Sequence, residues 1–264
     1  MFILDNSLCM QCGTCVNECH KDALALVDNM IKHDSERCIM CGHCLAVCPR
    51  DAIMIDGDGY DCGEVEDLSF AARPTRDAVR NMILLRRSER RFTDDKVTED
   101  EINGIIEAGR YAPTSLNSQD NAFLIVTDPE KRKELLEDTI STYERINVNE
   151  DGTFRNELIA SKCAQFRESG KDGFYFNAPV IIFVFSDSEV DGSICAATMG
   201  FMAQGEQLGY CMARLPVYMF EDEAIREKWQ APEGKQCVIA LLIGNPDSEY
   251  FCSVPRKIPP ITWF

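Results

Sequence analysis

Apolar positions fall into two regimes along the chain. Up to about residue 57 they come in pieces of three or four, at Phe2–Leu4, Leu24–Val27, residues 30–32 and Ile53–Ile55. Stretches dense in cysteine separate them. Pieces this short predict two small hairpins folded around something other than a large apolar core. From Pro74 onward the pattern lengthens. Val79, Met82, Ile83 and Leu84 form the apolar face of a helix that Pro74 opens. Thr98-Glu99-Asp100-Glu101 is a capping box, starting a helix through Ile102, Ile105 and Ile106. Residues 122–127 read as a buried strand, Pro129 starts a charged helix to about Ile146, and another helix covers about 154–168. Residues 180–185 are a strand-length apolar run. A long apolar helix follows, capped by Asp191 and ending at Gly209, with Ala196, Ala197, Gly200, Ala203 and Gly205 suited to close packing. A short helix at 221–229 and a strand at 237–243 complete the order. Strands interleaved with helices predict an α+β or α/β sandwich.

The cysteines explain the first regime. Cys9, Cys12, Cys15 and Cys19 read C-x2-C-x2-C-x3-C, and Cys38, Cys41, Cys44 and Cys48 repeat that spacing. The runs share Gly13 and Gly42, and Asp22-Ala23 and Asp51-Ala52, so the segment is an internal duplication. The first run ends in His20 where the second has Pro49. Three thiolates at this spacing wrap one face of a cubic iron–sulfur cluster, while the fourth lies too far along to reach the same cube and, in two-cluster ferredoxins, serves the other. Cys9, Cys12, Cys15 and Cys48 are therefore assigned to one [4Fe-4S] cluster, and Cys38, Cys41, Cys44 and Cys19 to a second. Zinc also takes C-x2-C pairs, but two tandem four-cysteine runs are the more specific pattern. Residues 1–57 closely resemble the clostridial-type two-cluster ferredoxin.

Composition narrows the setting. Of fourteen cysteines, eight are claimed by iron. The rest (Cys62, Cys163, Cys195, Cys211, Cys237, Cys252) are scattered, which with the absence of a basic, apolar start predicts a reducing, cytoplasmic location. The longest apolar runs are too short to cross a bilayer. A net charge of −17 argues against nucleic acid and is compatible with docking to a basic redox partner protein. Gly57-Asp58-Gly59-Tyr60-Asp61-Cys62-Gly63-Glu64 is acidic and glycine-rich, with the wrong spacing for a dinucleotide loop, so residues 58–73 read as a linker and 74–264 as a second domain.

That second domain opens on Arg86-Arg87-Ser88-Glu89-Arg90-Arg91, a basic cluster in an acidic chain. Guanidinium forks match phosphate, and Ser88 adds a hydroxyl, although a charge run can equally be a solvated face. Arg-x-Ser-x-Arg, then Ala112-Pro113-Thr114-Ser115-Leu116-Asn117-Ser118-Gln119, Asn177-Ala178-Pro179 and the late strand ending Gly244-Asn245-Pro246 together resemble the nitroreductase family over residues 74–264. The resemblance implies an α+β sandwich with a mostly antiparallel central sheet, and a homodimer holding noncovalent FMN at its interface. It assigns the phosphate and ring contacts to Arg86, Ser88 and Arg90, with Arg87 between them. It gives Pro113, Thr114, Ser115 and Asn117 to a turn reaching the flavin from the other subunit, Arg256 and Lys257 to a second phosphate contact, and Leu215 and Pro216 to the edge of the ring. Lys162 and Lys171 are both candidates for a basic residue before the central strand. Asp120-Asn121 stands where the family has Pro-Trp, which alters the wall beside the flavin.

The reading that results is a flavin-dependent oxidoreductase in which two [4Fe-4S] clusters exchange electrons with an FMN that reduces a small organic acceptor, a nitro compound, a quinone or similar. NAD(P)H is a further donor, and no side chain is named as a catalytic acid or base. The alternatives are a pure electron carrier and a different flavin reaction of the superfamily, such as reductive dehalogenation.

Overall fold

The computed structural model describes residues 1–264 except 58, 61–64, 66, 67, 69–72 and 150. The chain forms two compact units. One comprises Met1–Arg73 with Ser115–Ser118, the other Pro74–Thr114 with Gln119–Phe264. Most of the expected linker, including Cys62, lies outside the described residues.

The first unit contains β1 (Phe2–Leu4), α1 (Thr14–Glu18), β2 (Leu24–Val27), β3 (Met30–His33), α2 (His43–Ala46) and β4 (Ile53–Ile55). Only β2 and β3 form a hairpin. β1 pairs antiparallel with β4, Leu4 opposite Ile53 and Phe2 opposite Ile55. The expected pair of hairpins is thus one hairpin plus a closure of the two ends of the segment, because the duplicated halves exchange strands. The duplication extends to the backbone. Gln11 and Met40, Gly13 and Gly42, and Asp22 and Asp51 all have positive φ, from 48 to 77°. Gly13 and Gly42 sit at the starts of α1 and α2, a left-handed position that suits glycine.

The second unit runs α3 (Arg76–Leu85), α4 (Glu99–Arg110), β5 (Ala122–Val126), α5 (Pro129–Ile146), α6 (Glu157–Ser169), β6 (Val180–Ser186), α7 (Glu189–Gly205), β7 (Gly209–Ala213), α8 (Glu223–Lys228) and β8 (Gln236–Gly244). The four strands form one sheet in the order β5-β6-β8-β7, antiparallel throughout. β6 is buried along its whole length because its alternate side chains feed two cores. Ile181, Phe183 and Phe185 pack with Leu135, Ile140 and Tyr143 of α5. Val180, Ile182 and Val184 pack with Ile105 of α4 and Cys195, Ala196, Met199 and Ala203 of α7. The continuous apolar run in the sequence is the mark of a strand covered on both faces.

The capping box at Thr98 and Glu101 is present with both of its hydrogen bonds. Four expectations need correction. Thr75, after Pro74, caps α3. Ser188 caps α7 by accepting from the backbone N–H of Asp191, so Asp191 is a first-turn residue and not the cap. β7, read as the end of the preceding helix and its following loop, is the strand at the edge of the sheet, paired with β8 on one side and bridged through Tyr210 to Ser88 on the other. β5 is likewise an edge strand and only its last residue is buried.

Candidate functional site

In the first unit the cysteines gather around two cavities. Cys9, Cys12, Cys15 and Cys48 line one; Cys19, Cys38, Cys41 and Cys44 line the other. Each set takes three sulfurs from one repeat and one from the other. The surrounding residues match in pairs through the duplication: Leu24 and Phe2 at the second cavity, Ile53 and Ile31 at the first. Donors already point at several sulfurs. The backbone N–H groups of Ala23 and Ala52 donate to the Sγ atoms of Cys19 and Cys48, each at 3.3 Å, and that of Met40 to Cys38 at 3.5 Å. Burial pushes the Cys44 thiol up to about 11 and raises that of Cys15. Such thiols stay protonated without a cation, whereas a bound metal deprotonates them outright. A four-sulfur set crossed between repeats fits a [4Fe-4S] cube, with the backbone donors placed to neutralise charge on its sulfurs. Cys41 also lies with His20 and His43 in a group whose ligand atoms are within 4.8 Å of one another. Cys41 is also one of the four cysteines that line the second cavity.

In the second unit the basic segment follows α3 and is held in place from below by its own acid. Glu89 is buried, 4% exposed. Its Oε1 accepts from the backbone N–H groups of Arg90 and Arg91, and its Oε2 accepts from the Tyr250 hydroxyl. The N–H of Glu89 donates to the carbonyl of Tyr210 in β7, and Ser88 bridges to the same residue. Gly209 permits this approach, since a Cβ there would stand 2.8 Å from Glu89 Cγ. Glu89 turns inward, which leaves Ser88 and Arg90 exposed and Arg86 half-buried. Among the described residues no carboxylate pairs with the side chain of Arg86 or Arg90. Arg90 lies over the Phe176 ring at 5.6 Å, and the Lys162 ammonium over the same ring at 5.5 Å. The donor chemistry of this surface fits an anionic group stacked near an aromatic ring.

The other expected contacts divide. Arg87 faces protein: its guanidinium donates to the carbonyls of Leu84, Arg86 and Cys252 and lies over the Tyr250 ring. Arg256 and Lys257 are exposed in the C-terminal run. Leu215 and Pro216 begin a 3-10 turn, and the Leu215 carbonyl accepts the Tyr143 hydroxyl. Pro113 and Thr114 belong to the second unit, Ser115 and Asn117 to the first. The Asn117 amide donates to the carbonyls of Ile39 and Met40, at 3.0 and 3.1 Å, inside the second cysteine run. Lys162 is half-buried and Lys171 exposed. Burial lowers the Lys162 pKa, and Arg90 pushes in the same direction while Asp172 opposes both. A cavity of about 1080 Å³ lined by Glu189, Arg214, Glu221, Arg226, Lys235 and Cys237 involves none of the expected cofactor residues. Sequence reasoning missed Asp172, 7% exposed, whose carboxylate accepts from the backbone N–H groups of Phe174, Tyr175 and Asn177 and so shapes the loop presenting Phe176. An aspartate just before a tight loop is an Asx-type signal that the sequence does contain, whereas its burial is visible only in the structure.

Residues 83–245 match the family described as Nitroreductase. The chain belongs to the nitroreductase family. Residues 1–49 match a 4Fe-4S dicluster domain. Among curated proteins, an FMN reductase (NADPH) of Bacillus subtilis is 25% identical over 172 residues, which cover 62% of this chain and 64% of the relative. The match therefore spans less than two thirds of that relative's length. Among solved structures, a nitroreductase with bound FMN from Bacteroides fragilis superposes with a TM-score of 0.61 at 19% identity, over 70% of this chain and 98% of that one. A nitroreductase with bound FMN from Desulfitobacterium hafniense gives 0.55 at 20%, over 69% and 97%. These two show the fold, an antiparallel α+β sandwich. The dicluster segment precedes the nitroreductase-family match in sequence. No helix among the described residues is long and apolar enough to cross a membrane.

Proposed function

We propose that the chain is an FMN-dependent oxidoreductase whose two [4Fe-4S] clusters exchange electrons with a noncovalent FMN that reduces a small organic acceptor such as a nitro compound or a quinone. One observation supports this above the others: two complete four-cysteine sets share a chain with a nitroreductase-family unit. Flavin can accept electrons singly and deliver them in pairs, whereas iron–sulfur clusters pass one at a time. The residues do the positioning. Arg86, Ser88 and Arg90 hold the FMN phosphate and ring edge, with Lys162 beside Phe176 as a further cation. Arg256 and Lys257 supply a second phosphate contact, and Leu215 and Pro216 border the ring. Pro113, Thr114, Ser115 and Asn117 form the turn that reaches the flavin of the other subunit. The relative named for NADPH supports NAD(P)H as a direct donor. A homodimer fits the exposed C-terminal run, where Phe251, Ile258, Ile261, Trp263 and Phe264 stand in solvent, an apolar strap that a second chain would cover.

The test is made on the full, iron-loaded chain. A low-potential reduced ferredoxin should bleach the flavin quickly, and Cys38→Ser should slow this step severely while leaving reduction by NAD(P)H unchanged. Equal rates in both chains would show that the clusters do not relay. Arg86→Ala or Arg256→Ala should weaken FMN binding by about 1.5–3 kcal/mol each, measured by fluorescence titration. Unchanged affinity in both would move the phosphate elsewhere.

A further inference from the structure

The two cysteine-lined cavities are built by duplicated residues, so each position at one has a counterpart at the other. Phe2 answers to Ile31, Leu24 to Ile53, and Cys38 to Cys9. Leu4 in β1 and His33 in β3 are such a pair. Leu4 lies opposite Ile53 across β1 and β4, and His33 lies opposite Leu24 across β2 and β3. Both line their cavities. A hydrocarbon side chain has become an imidazole at one cluster site only.

That imidazole is held. Its ring stacks on Phe2, centroids 4.5 Å apart and planes 23° from parallel. Its Nε2 is buried and has no hydrogen-bond partner among the described residues. A buried ring nitrogen is rarely left unpaired, and the cavity His33 lines is also lined by Cys19, Cys38, Cys41 and Cys44. We propose that His33 Nε2–H donates a hydrogen bond to the sulfur shell of the cluster held by Cys19, Cys38, Cys41 and Cys44, and so sets that cluster's reduction potential above its twin's. The added electron places negative charge on the sulfurs, and a donor aimed at them stabilises the reduced state more than the oxidised one. Leu4 offers no such donor. Electrons entering this unit then rest on the second cluster before the first. His33 is a positioning residue and ligates no iron. The proposal rests on the clusters being present, but not on any direction of exchange with FMN.

The experiment is an anaerobic redox titration of the full, iron-loaded chain, following the low-temperature electron paramagnetic resonance of the reduced clusters. Two midpoints are expected. His33→Leu, which installs the residue of the twin site, should lower the upper midpoint by about 59 mV, a tenfold change in a one-electron equilibrium, and leave the lower one in place. Leu4→His should raise the lower midpoint. Iron analysis accompanies each variant, so a missing cluster is distinguished from an unshifted potential. Unchanged midpoints in an iron-replete His33→Leu chain overturn the proposal. If that variant loses iron, a chain carrying His20→Pro and His43→Thr, again the twin's residues, keeps His33 as its one histidine. With 15N-histidine, its reduced second cluster should show a nitrogen coupling in pulsed resonance, and absence of the coupling overturns the proposal.

Discussion

The two units solve the problem of burial in opposite ways. The second has a four-stranded sheet with a helical layer on each face, and β6 and β8 between them contribute a continuous double core. The first has a small buried apolar cluster, Cys15, Leu24, Ile31 and Ile53, with Ala23, Ala52 and Ile55 the further buried apolar residues described there, and most of what packs around the cluster is cysteine or short strand. A segment of this size is marginal on apolar burial alone. Metal coordination is then a large part of its folding free energy. This contrast predicts that the second unit keeps its fold without its cofactor and that the first does not.

The largest effect expected from this contrast is on metal removal. Stripping iron under anaerobic conditions should expose the amides of residues 1–56 to rapid hydrogen exchange while those of β6 and β8 keep their protection, read by mass spectrometry. Persistent protection in β1–β4 after iron loss would mean that the small core suffices, and the comparison would fail.

A smaller effect tests the second unit where its scaffold meets its candidate site. Gly209→Ala places a methyl against Glu89, whose Cγ would be 2.8 Å away. Either Glu89 shifts, dragging the backbone of Ser88 and Arg90 with it, or β7 does. Overpacking of this kind costs about 1–3 kcal/mol. Urea unfolding should show that loss in the second unit, and FMN retention should fall with it, while iron content stays unchanged. Arg87→Ala should act in the same direction by releasing the Cys252 carbonyl, with more effect on the C-terminal run than on FMN affinity.

How much of this was legible in the sequence differs between the units for physical reasons. In the first, ligand spacing is dictated by the geometry of a cluster and is written twice, so the crossed cysteine sets follow from Cys9 to Cys48 alone. What the spacing does not encode is which short strand pairs with which, and so the partnership of β1 with β4 was missed. In the second, β6 and α4 were readable because burial on two faces and a capping box leave strong local marks. β7 was not, because the turn before it is made by Glu206 and Gln207, the latter at a φ of 62°, which are not residues that mark turns in sequence, and its pairing with β8 is a tertiary event. The basic segment was visible as charge, but the inward turn of Glu89 was not, since a buried acid among arginines looks the same in sequence as an exposed one. The same limit applies to the remaining thiols. Burial pushes Cys163 up to about 11 and Cys195 up to about 12 and raises Cys211, so these three are packing residues at neutral pH, which spacing alone did not tell.

The smallest effect concerns Lys162, whose burial beside Phe174 and Phe176 lowers its pKa from the ordinary 10.5, with Arg90 adding to the shift and Asp172 opposing it. In the unfolded chain the lysine keeps its ordinary value, so between the lowered folded pKa and 10.5 the unfolded state binds more protons. Stability then rises with pH across that window, and below it the charged lysine carries its full burial penalty. In the flavin-free protein the raised cysteine pKa values contribute an opposite slope to both chains, so it is the difference in urea stability between the native chain and Lys162→Met that should carry this positive slope at alkaline pH. An anion bound beside Lys162 and Arg90 favours the charged ammonium and moves its pKa back toward the ordinary value. FMN saturation should therefore reduce the same slope in the native chain and do nothing to it in Lys162→Met. A slope that FMN leaves untouched in the native chain would place the flavin away from Lys162 and Phe176, and the anion surface would have to be sought around Arg86 alone.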